Sequence, residues 1–367
     1  MCKCSEQTVV LWAQRALLVL SLSLVAMAGM SGVAHTSYPG YDGKIAFLCR
    51  DNNPLFDICT ANLDGSSRTN LTNDIHGQNM GMQWSPDGKK IVFERNDNTV
   101  GNHDIWVMNA DGSNKTNLTN HLDGNGDIFN QVFPTWSPDG SKIAYIAYPS
   151  DGSESTAIHS INPDGTGDAI LSNTAKGANS LDWGISGKLV YSARGETAPG
   201  SVYLNRDIYS INADGTNEAN LTNSPLPESY PSWHPNGDKI VFNARAADDR
   251  TEIATMDSNG GNKAVVSGSG SFPKWSPSGR RIIFADAVDA QADLLAMDID
   301  GSNRVNVTNS ATDELYPDWQ PVEECGVSCG EPVAKEAGKN KGWGDGNGGG
   351  KGHPKKEDSG GCVACGD

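Results

Sequence analysis

Residues Trp84-Ser85-Pro86-Asp87-Gly88 read as a tryptophan followed by a tight turn, and the same five letters return as Trp136-Ser137-Pro138-Asp139-Gly140. Degenerate copies of this marker lie at residues 183–187, 233–237 and 275–279, and a shortened copy lies at residues 319–321. The tryptophans of successive copies are separated by 52, 47, 50, 42 and 44 residues. Self-similarity at a period of about 40 to 50 residues is typical of repeat folds such as propellers.

Each unit between two markers contains four short β-prone runs. In the unit that follows Trp84, these are Ile91–Phe93, a run from Asp104, a run at Leu118-Thr119, and the run that ends at Trp136. An Asx-Gly pair, here Asp111-Gly112, separates two of the runs and is a strong hairpin signal. Four-stranded units at this period predict an all-β fold, a six-bladed β-propeller.

The phase of the repeat at its two ends predicts how the ring closes. The chain enters the pattern at the second strand of a unit, near Lys44, and leaves it at a first strand, Leu315 to Trp319. We therefore expect the C-terminal strand to join the N-terminal blade, which would close the ring and remove two open sheet edges.

Composition excludes several classes of protein. The chain of 367 residues has 28 Lys and Arg against 45 Asp and Glu, a formal charge of −17. Nucleic acid is disfavoured as a partner, because phosphate binding needs a concentrated basic surface. The 42 glycines lack a three-residue period, which excludes collagen, and a single long apolar stretch excludes a multi-pass membrane protein. The first 34 residues carry +1 and residues 322–367 carry −2, so residues 35–321 keep −16 and should attract cationic partners.

Residues 1–34 are expected to be a signal peptide or an N-terminal anchor. Lys3 and Arg15 precede an apolar run from Ala16 to about Ala28, and small residues follow, as in a secretory signal. The run is short for a spanning helix, which needs about 20 residues, but extended to Ala34 it could act as an uncleaved anchor. We expect a periplasmic or extracellular protein, with membrane contact only through a retained N-terminus.

Cysteines occur in the predicted ring and in the tail. Export leads to an oxidising compartment, where Cys49 and Cys59, which flank a turn-like stretch, could form a disulfide; two small buried thiols are the alternative. Residues 322–367 are rich in Gly and Lys, and we expect a disordered tail after a propeller over residues 35–321. The paired cysteines of that tail leave disulfides, a zinc site and no defined role open.

The recurring residues have structural interpretations. We expect the six marker tryptophans to pack between blades as apolar wedges. The Asp that precedes Ile in each unit, as at Asp104, is expected to accept hydrogen bonds from backbone or indole N–H groups. Five sequons match the glycosylation pattern: Asn70, Asn114, Asn117, Asn220 and Asn306. Four of them lie in a repeated Asn-Leu-Thr or Asn-Val-Thr strand, so we interpret them as a strand pattern.

The unit from Asp104 through Leu118-Thr119 to Trp136-Ser137-Pro138-Asp139-Gly140 resembles the blade repeat of the TolB family, periplasmic propellers of the Tol–Pal envelope system. The resemblance covers about residues 40 to 321. It implies a six-bladed ring, an exported location and a function in protein–protein contact. TolB carries an additional α/β domain before its propeller, and we expect a TolB-like propeller without that domain.

The expected functional surface is the mouth of the central channel, formed by the first strands. The residues just before the marker tryptophans are Gln83, Thr135, Asp182, Ser232, Lys274 and Asp318. Two positions earlier lie Gly81, Phe133, Ser180, Tyr230, Phe272 and Tyr316. All of these except Gly81 and Ser180 are our candidate binding residues, because mixed polar and aromatic groups around a concave pocket suit peptide capture. The alternative is that they only fill a narrow channel.

Metal and catalytic motifs are weak. Asp123, Asn125 and Asp127 alternate as in the opening of a calcium loop and are candidate metal ligands, but Ile128 stands where an EF-hand needs Gly. A long polar turn is the alternative. The sequence has no G-x-S-x-G elbow and no H-E-x-x-H pair. We expect no cofactor, with calcium as the one open exception.

We therefore predict a monomeric, exported, non-enzymatic propeller of the cell envelope. It would bind a protein or peptide partner through the channel mouth and the loops at the top of the blades. The alternative is a metal-dependent propeller enzyme, a lyase or a lactonase-like hydrolase, with its site in the channel; only Asp182 and Asp318 are acidic on the first strands. A third interpretation is a structural propeller of the cell surface, tethered by its tail.

Overall fold

The computed structural model describes residues 41–51, 54–73, 77–97, 103–120, 129–149, 156–173, 177–195, 205–288 and 291–322. The expected signal segment, the candidate calcium ligands Asp123, Asn125 and Asp127, and the tail beyond Val322 lie outside these described residues. Within them, no helix has the length and apolar character needed to cross a membrane.

The described residues form six four-stranded antiparallel sheets, which confirms the predicted six-bladed propeller. The innermost strands are β4 (Gly77–Trp84), β8 (Phe129–Trp136), β12 (Ser180–Trp183), β16 (Glu228–Trp233), β20 (Ser271–Trp275) and β24 (Leu315–Val322). The second strands are β1 (Tyr41–Cys49), β5 (Lys90–Asp97), β9 (Ile143–Pro149), β13 (Lys188–Arg194), β17 (Lys239–Arg245) and β21 (Arg281–Val288). The third strands are β2 (Asp57–Ala61), β6 (His103–Asn109), β10 (Ala157–Ile161), β14 (Arg206–Asn212), β18 (Thr251–Asp257) and β22 (Gln291–Asp298). The outermost strands are β3 (Thr69–Asn70), β7 (Thr116–Asn117), β11 (Ala169–Ser172), β15 (Ala219–Asn220), β19 (Ala264–Ser267) and β23 (Val305–Asn306).

The ring closes as predicted, because the last strand completes the first blade. Strand β24 pairs with β1, with Ile45 opposite Trp319 and Ala46 opposite Asp318. We number this sheet blade 1 and count the others in chain order to blade 6, which ends with β23. The side chain of Gln320 also donates a hydrogen bond to the carbonyl of Gly88 in blade 2, at 2.8 Å. The closing strand is therefore tied both to its own sheet and to the next one.

The marker tryptophans pack between neighbouring blades. Trp136 of blade 3 shares one buried cluster with Val92 and Ile105 of blade 2, and Trp275 of blade 6 shares another with Val241 of blade 5. Among the described residues, the indole N–H groups of five marker tryptophans have no hydrogen-bond partner: Trp84, Trp136, Trp233, Trp275 and Trp319. Of the two expected donors to the repeated Asp, the indole N–H is therefore wrong, because the rings are wedged among apolar side chains, whereas the backbone N–H is confirmed at Asp207 and Asp293.

The repeated Asp instead holds the sequon strand. Asp207 is fully buried and accepts hydrogen bonds from the Asn220 side chain at 2.8 Å and from the Ser224 backbone at 2.9 Å. Asp104 accepts one from the Asn117 side chain at 2.9 Å. The sequon asparagines of the outermost strands thus satisfy a buried carboxylate, which gives the Asn-Leu-Thr pattern a structural reason.

A disulfide joins the second and third strands of blade 1. Cys49 at the end of β1 and Cys59 in β2 are bonded, and their Cα atoms lie 5.9 Å apart. Both cysteines are fully buried. The bond closes the hairpin between the two strands.

Candidate functional site

The innermost strands surround the central channel, and each presents its residues to the channel in the same order. Five of the six strands contain a register shift or bulge just before the polar position, as between Val132 and Thr135 in β8 and between Ser271 and Lys274 in β20. Strand β12 pairs regularly from Ser180 to Trp183. A bulge redirects a side chain and bends the strand, so the residue at the bulge turns towards the channel.

Four aromatic residues at these bulges have a left-handed backbone. Phe133, Tyr230, Phe272 and Tyr316 have φ values of 53°, 52°, 57° and 52°. Positive φ is rare for bulky residues, and each of these residues precedes a proline, which favours extended backbone instead. Strain of this kind costs about 1–3 kcal/mol per residue and is typical of functional sites. We call these four residues the aromatic row.

Side chains of the preceding blade hold these strained residues in place. The backbone N–H of Phe272 donates to Oδ1 of Asn243 at 2.9 Å. The N–H of Phe133 donates to Oε2 of Glu94 at 3.3 Å. Asn243 and Glu94 occupy the same position of the second strand in blades 5 and 2. An amide or a carboxylate can therefore serve as the anchor at this position.

The aromatic row lines a cavity in the channel. The ring centroid of Tyr230 lies 4.7 Å from that of Phe272, 5.7 Å from that of Tyr316 and 6.4 Å from that of Phe133. These three pairs are edge-to-face, a favoured arrangement of aromatic rings. Gly81 and Ser180 complete the lining at the two equivalent positions that lack an aromatic ring, and the volume of the cavity is about 60 Å³. We call this space the aromatic cavity.

The six polar candidates form a separate layer that closes the channel beside the aromatic cavity. Oδ1 of Asp182 accepts hydrogen bonds from the side chains of Gln83 and Lys274, both at 3.0 Å. Thr135, Ser232 and the two aspartates are buried. The sequence predicted that all ten candidates line one open mouth, whereas in the structure four of them are the rings of the cavity and six form the polar layer, of which Gln83 and Lys274 also line the cavity.

The polar layer also links each blade to the next. Asp182 accepts a hydrogen bond from the backbone of Trp233 at 2.7 Å, and Gln83 accepts one from the backbone of Trp136 at 2.7 Å. Asp318 accepts the same kind of bond from Trp84 at 2.7 Å across the closure of the ring. These side chains therefore satisfy backbone groups that neighbouring innermost strands leave unpaired.

Charges in the polar layer are strongly coupled. Burial lowers the pKa of Lys274, but the carboxylates of Asp182 and Asp318 outweigh this effect and raise its pKa above the ordinary value. Burial raises the pKa of Asp318 to about 7, against the opposing attraction of Lys274. One ammonium thus lies near two carboxylates, and the layer carries no net positive charge.

Sequence reasoning missed Glu94, which lies next to the aromatic cavity. Its side chain is only 2% exposed, and its Oε1 lies 2.5 Å from Nδ1 of His103, an interaction that raises the pKa of His103. The corresponding residues of the other blades are Leu48, Ile146, Ser192, Asn243 and Ala285. The signal available in the sequence was therefore a single charge at a position that is uncharged in every other repeat.

Potential metal ligands come together at one place in the described part of the chain. There, Cys49, Asp51 and Cys59 are the one group of three His, Cys, Asp or Glu side chains whose ligand atoms lie close together. Both cysteines belong to the disulfide, so neither offers a thiolate. This group lies in blade 1 and not in the channel.

The chain is similar to known propeller proteins. The TolB beta propeller domain family matches residues 42–271 and 205–323. An uncharacterized protein of Agrobacterium fabrum (strain C58) is 34% identical over 110 residues, which are 30% of this chain and 34% of that protein. The chain thus spans about a third of the length of the curated relative it matches.

Two solved structures show the likeness of the fold. TolB from Acinetobacter baumannii is 19% identical, with a TM-score of 0.64 over 78% of this chain and 69% of that chain. An oligogalacturonate lyase in complex with manganese is 11% identical, with a TM-score of 0.52 over 72% of this chain and 73% of that chain. The family match extends over all six blades, and the chain therefore belongs to the TolB beta propeller domain family.

Proposed function

We propose that this protein is an exported, non-enzymatic propeller of the cell envelope that captures a segment of a protein partner in the aromatic cavity. The observation that carries the proposal is the aromatic row, with four rings held at strained backbone positions around one cavity. Exposed or half-buried aromatic residues are enriched where proteins bind one another.

Strain at the aromatic row favours a binding role over simple filling of the channel. Phe133, Tyr230, Phe272 and Tyr316 are half-buried and leave a cavity between them. A fully packed core gives no reason to keep both an unfavourable backbone and an unfilled space. A partner side chain that enters the cavity would contact all four rings.

Export and an envelope location are supported by two features. The N-terminal residues have the composition of a secretory signal, and Cys49 and Cys59 form a disulfide. Disulfides persist in oxidising compartments such as the periplasm and are rare in the cytosol. Similarity to TolB is consistent with work through protein contact in that location.

A non-enzymatic role is supported by the polar layer. A metal-dependent lyase or hydrolase in the channel would need oxygen ligands that are available to a cation. Here Nζ of Lys274 lies 3.0 Å from Oδ1 of Asp182, so this carboxylate already has a cationic partner. The likeness to the manganese-bound lyase is one of fold.

The test is capture of the partner from the intact envelope. Tagged full-length protein is expressed in its own host, crosslinked, purified, and the bound proteins are identified. The variant Tyr230→Gly/Phe272→Gly removes two rings, and glycine at this position has a precedent in Gly81. The control Ile185→Ala changes an exposed residue at the other end of the channel.

A partner that is recovered with the wild type and the control, but lost with the double variant, would support the proposal. A partner recovered equally with all three proteins would overturn the assignment to the aromatic cavity. Saturable binding of Mn²⁺ or Ca²⁺ that is lost in Asp182→Asn would favour the metal-dependent enzyme instead.

A further inference from the structure

We propose that the aromatic cavity is a binding site for a primary ammonium group, the tip of a lysine side chain presented by the partner. This inference rests on the proposed function and names the chemistry that the cavity recognises. Three features carry it: the rings of the cavity, the carboxylate of Glu94 behind Gly81, and the size of the cavity.

The rings provide faces and edges suited to a cation. Tyr230 stands nearly perpendicular to Phe272 and Tyr316, with interplanar angles of 77° and 81°. Neighbouring rings therefore present different orientations to the space between them. A cation within about 6 Å of an aromatic centroid is attracted by the negative face of the ring, and several rings around one space add to that attraction.

A carboxylate lies at the one bulge of the cavity where the aromatic ring is missing. A Cβ atom on Gly81 would lie 3.6 Å from Oε2 of Glu94 and 3.7 Å from Phe133. Glu94 is not among the residues that line the cavity, so its buried carboxylate acts from directly behind Gly81. The charge of Glu94 also acts on two rings of the row, since it adds to the effect of burial in raising the pKa of Tyr230 and Tyr316.

The size of the cavity suits a small group. Its volume of about 60 Å³ holds a few water-sized groups, which is enough for an ammonium and its nearest methylenes. Lys274 also lines the cavity, but Asp182 and Asp318 flank its ammonium. The formal charge of −16 on the propeller region favours the approach of a basic segment.

Glu94 has a matched substitution within the chain. His103 contacts Oε1 of Glu94, whereas Oε2 accepts the backbone N–H of Phe133 and faces Gly81. Asn243 performs the same anchoring in blade 5 with an amide oxygen. Glu94→Gln is therefore expected to keep Phe133 in place and to remove the charge, together with the ion pair to His103.

The test compares two small probes that differ in charge. N-acetyl-lysine methylamide and N-acetyl-norleucine methylamide are titrated at pH 8.5 into the full-length protein labelled at its methionine methyl groups. Met82 lines the cavity and is the reporter. We expect a saturable shift of Met82 with the lysine probe only, and an affinity about tenfold lower in Glu94→Gln, a change that corresponds to about 1.4 kcal/mol.

The same probes are titrated into Phe272→Leu, which keeps apolar volume but removes a ring. A lower affinity for the lysine probe in both variants, with unchanged methyl spectra of the free proteins elsewhere, would support the inference. Equal binding of the two probes, or lysine binding that Glu94→Gln leaves unchanged, would overturn it.

Failure of the inference and of the proposed function are distinguishable. If neither probe shifts Met82 while the envelope partner is still lost with Tyr230→Gly/Phe272→Gly, the cavity binds a partner by other chemistry and the ammonium assignment is wrong. If the partner is retained by that double variant, the proposed function of the cavity is wrong as well.

Discussion

Nζ of Lys274 lies 3.0 Å from Oδ1 of Asp182, although the two residues belong to innermost strands two blades apart. The contact places a half-buried cation against a buried carboxylate that also accepts the backbone N–H of Trp233. Asp318 lies close enough to raise the pKa of the same lysine. The channel thus contains an ammonium group and two carboxylates that the protein supplies itself.

Replacement of this lysine should destabilise the ring. In Lys274→Met, Asp182 and Asp318 would remain buried without their cation, and removal of one partner of a buried pair costs about 3–5 kcal/mol. Urea unfolding should show a lower free energy of unfolding by about this amount. The double variant Lys274→Met/Asp182→Asn removes the uncompensated charge and should recover part of the loss. Equal stability of wild type and Lys274→Met would show that the ion pair contributes nothing.

Asp318 should make stability depend on pH in a distinctive direction. Its pKa is raised from 3.8 to about 7 in the folded protein, so the folded state resists its ionisation more than the unfolded chain does. The contribution of Asp318 to stability therefore falls as pH rises from about 4 to 7 and stays constant above that range.

Asp318→Asn removes this ionisation and should gain stability relative to wild type between pH 4 and pH 7, by several degrees in unfolding temperature. Thermal unfolding at intervals from pH 4.5 to pH 8 measures the difference. Asp300 is the control, because it is an exposed turn residue whose pKa is lowered by Ser302, so the offset between Asp300→Asn and wild type should stay constant from pH 4.5 to pH 8 and shrink only at more acidic pH. A constant offset between Asp318→Asn and wild type at all pH values would contradict the prediction.

The second strands pair an aromatic residue with a residue that precedes the outermost strand of the same blade. In blade 4 the hydroxyl of Tyr191 donates a hydrogen bond to Glu218. In blade 1 the corresponding residues are Phe47 and Arg68, and the guanidinium lies 5.0 Å from the ring centroid. Tyr191→Phe should therefore cost about 1 kcal/mol of stability.

The double variant Tyr191→Phe/Glu218→Arg recreates the pairing of blade 1 and should recover part of that loss. A double-mutant cycle by urea unfolding measures the coupling. Additive effects of the two changes would mean that the pairs do not interact.

The disulfide should stabilise the first blade. A loop of this length, with a sequence separation of 10 residues between Cys49 and Cys59, corresponds to about 2.5 kcal/mol in the chain-entropy treatment. Urea unfolding of the wild type with reductant should match that of Cys49→Ala/Cys59→Ala without it. The double variant itself should not respond to reductant. The prediction is wrong if a thiol assay shows that the disulfide has been reduced and the free energy of unfolding of the wild type is nevertheless unchanged.

Local patterns in the sequence were sufficient for the architecture. The Trp84 marker and its copies, the Asp111-Gly112 type of turn and the phase of the repeat at Lys44 and Leu315 predicted six blades and their closure. Turn chemistry and alternation act over a few residues, so they can be recognised without knowledge of the rest of the chain. The same reasoning placed the aromatic and polar residues on the innermost strands.

Contacts between blades decided the rest. Glu94 and Phe133 are 39 residues apart, and Gln83 and Asp182 are 99 residues apart, yet each pair is joined by a hydrogen bond. The sequence predicted one open mouth and did not single out Glu94. The repeat pattern of the sequence determined which strand each residue occupies, because the hydrophobic period and the turns depend on neighbouring residues only. Only the tertiary structure decided which side chains meet across the channel, because the curvature of the ring and the bulges of the innermost strands set those distances.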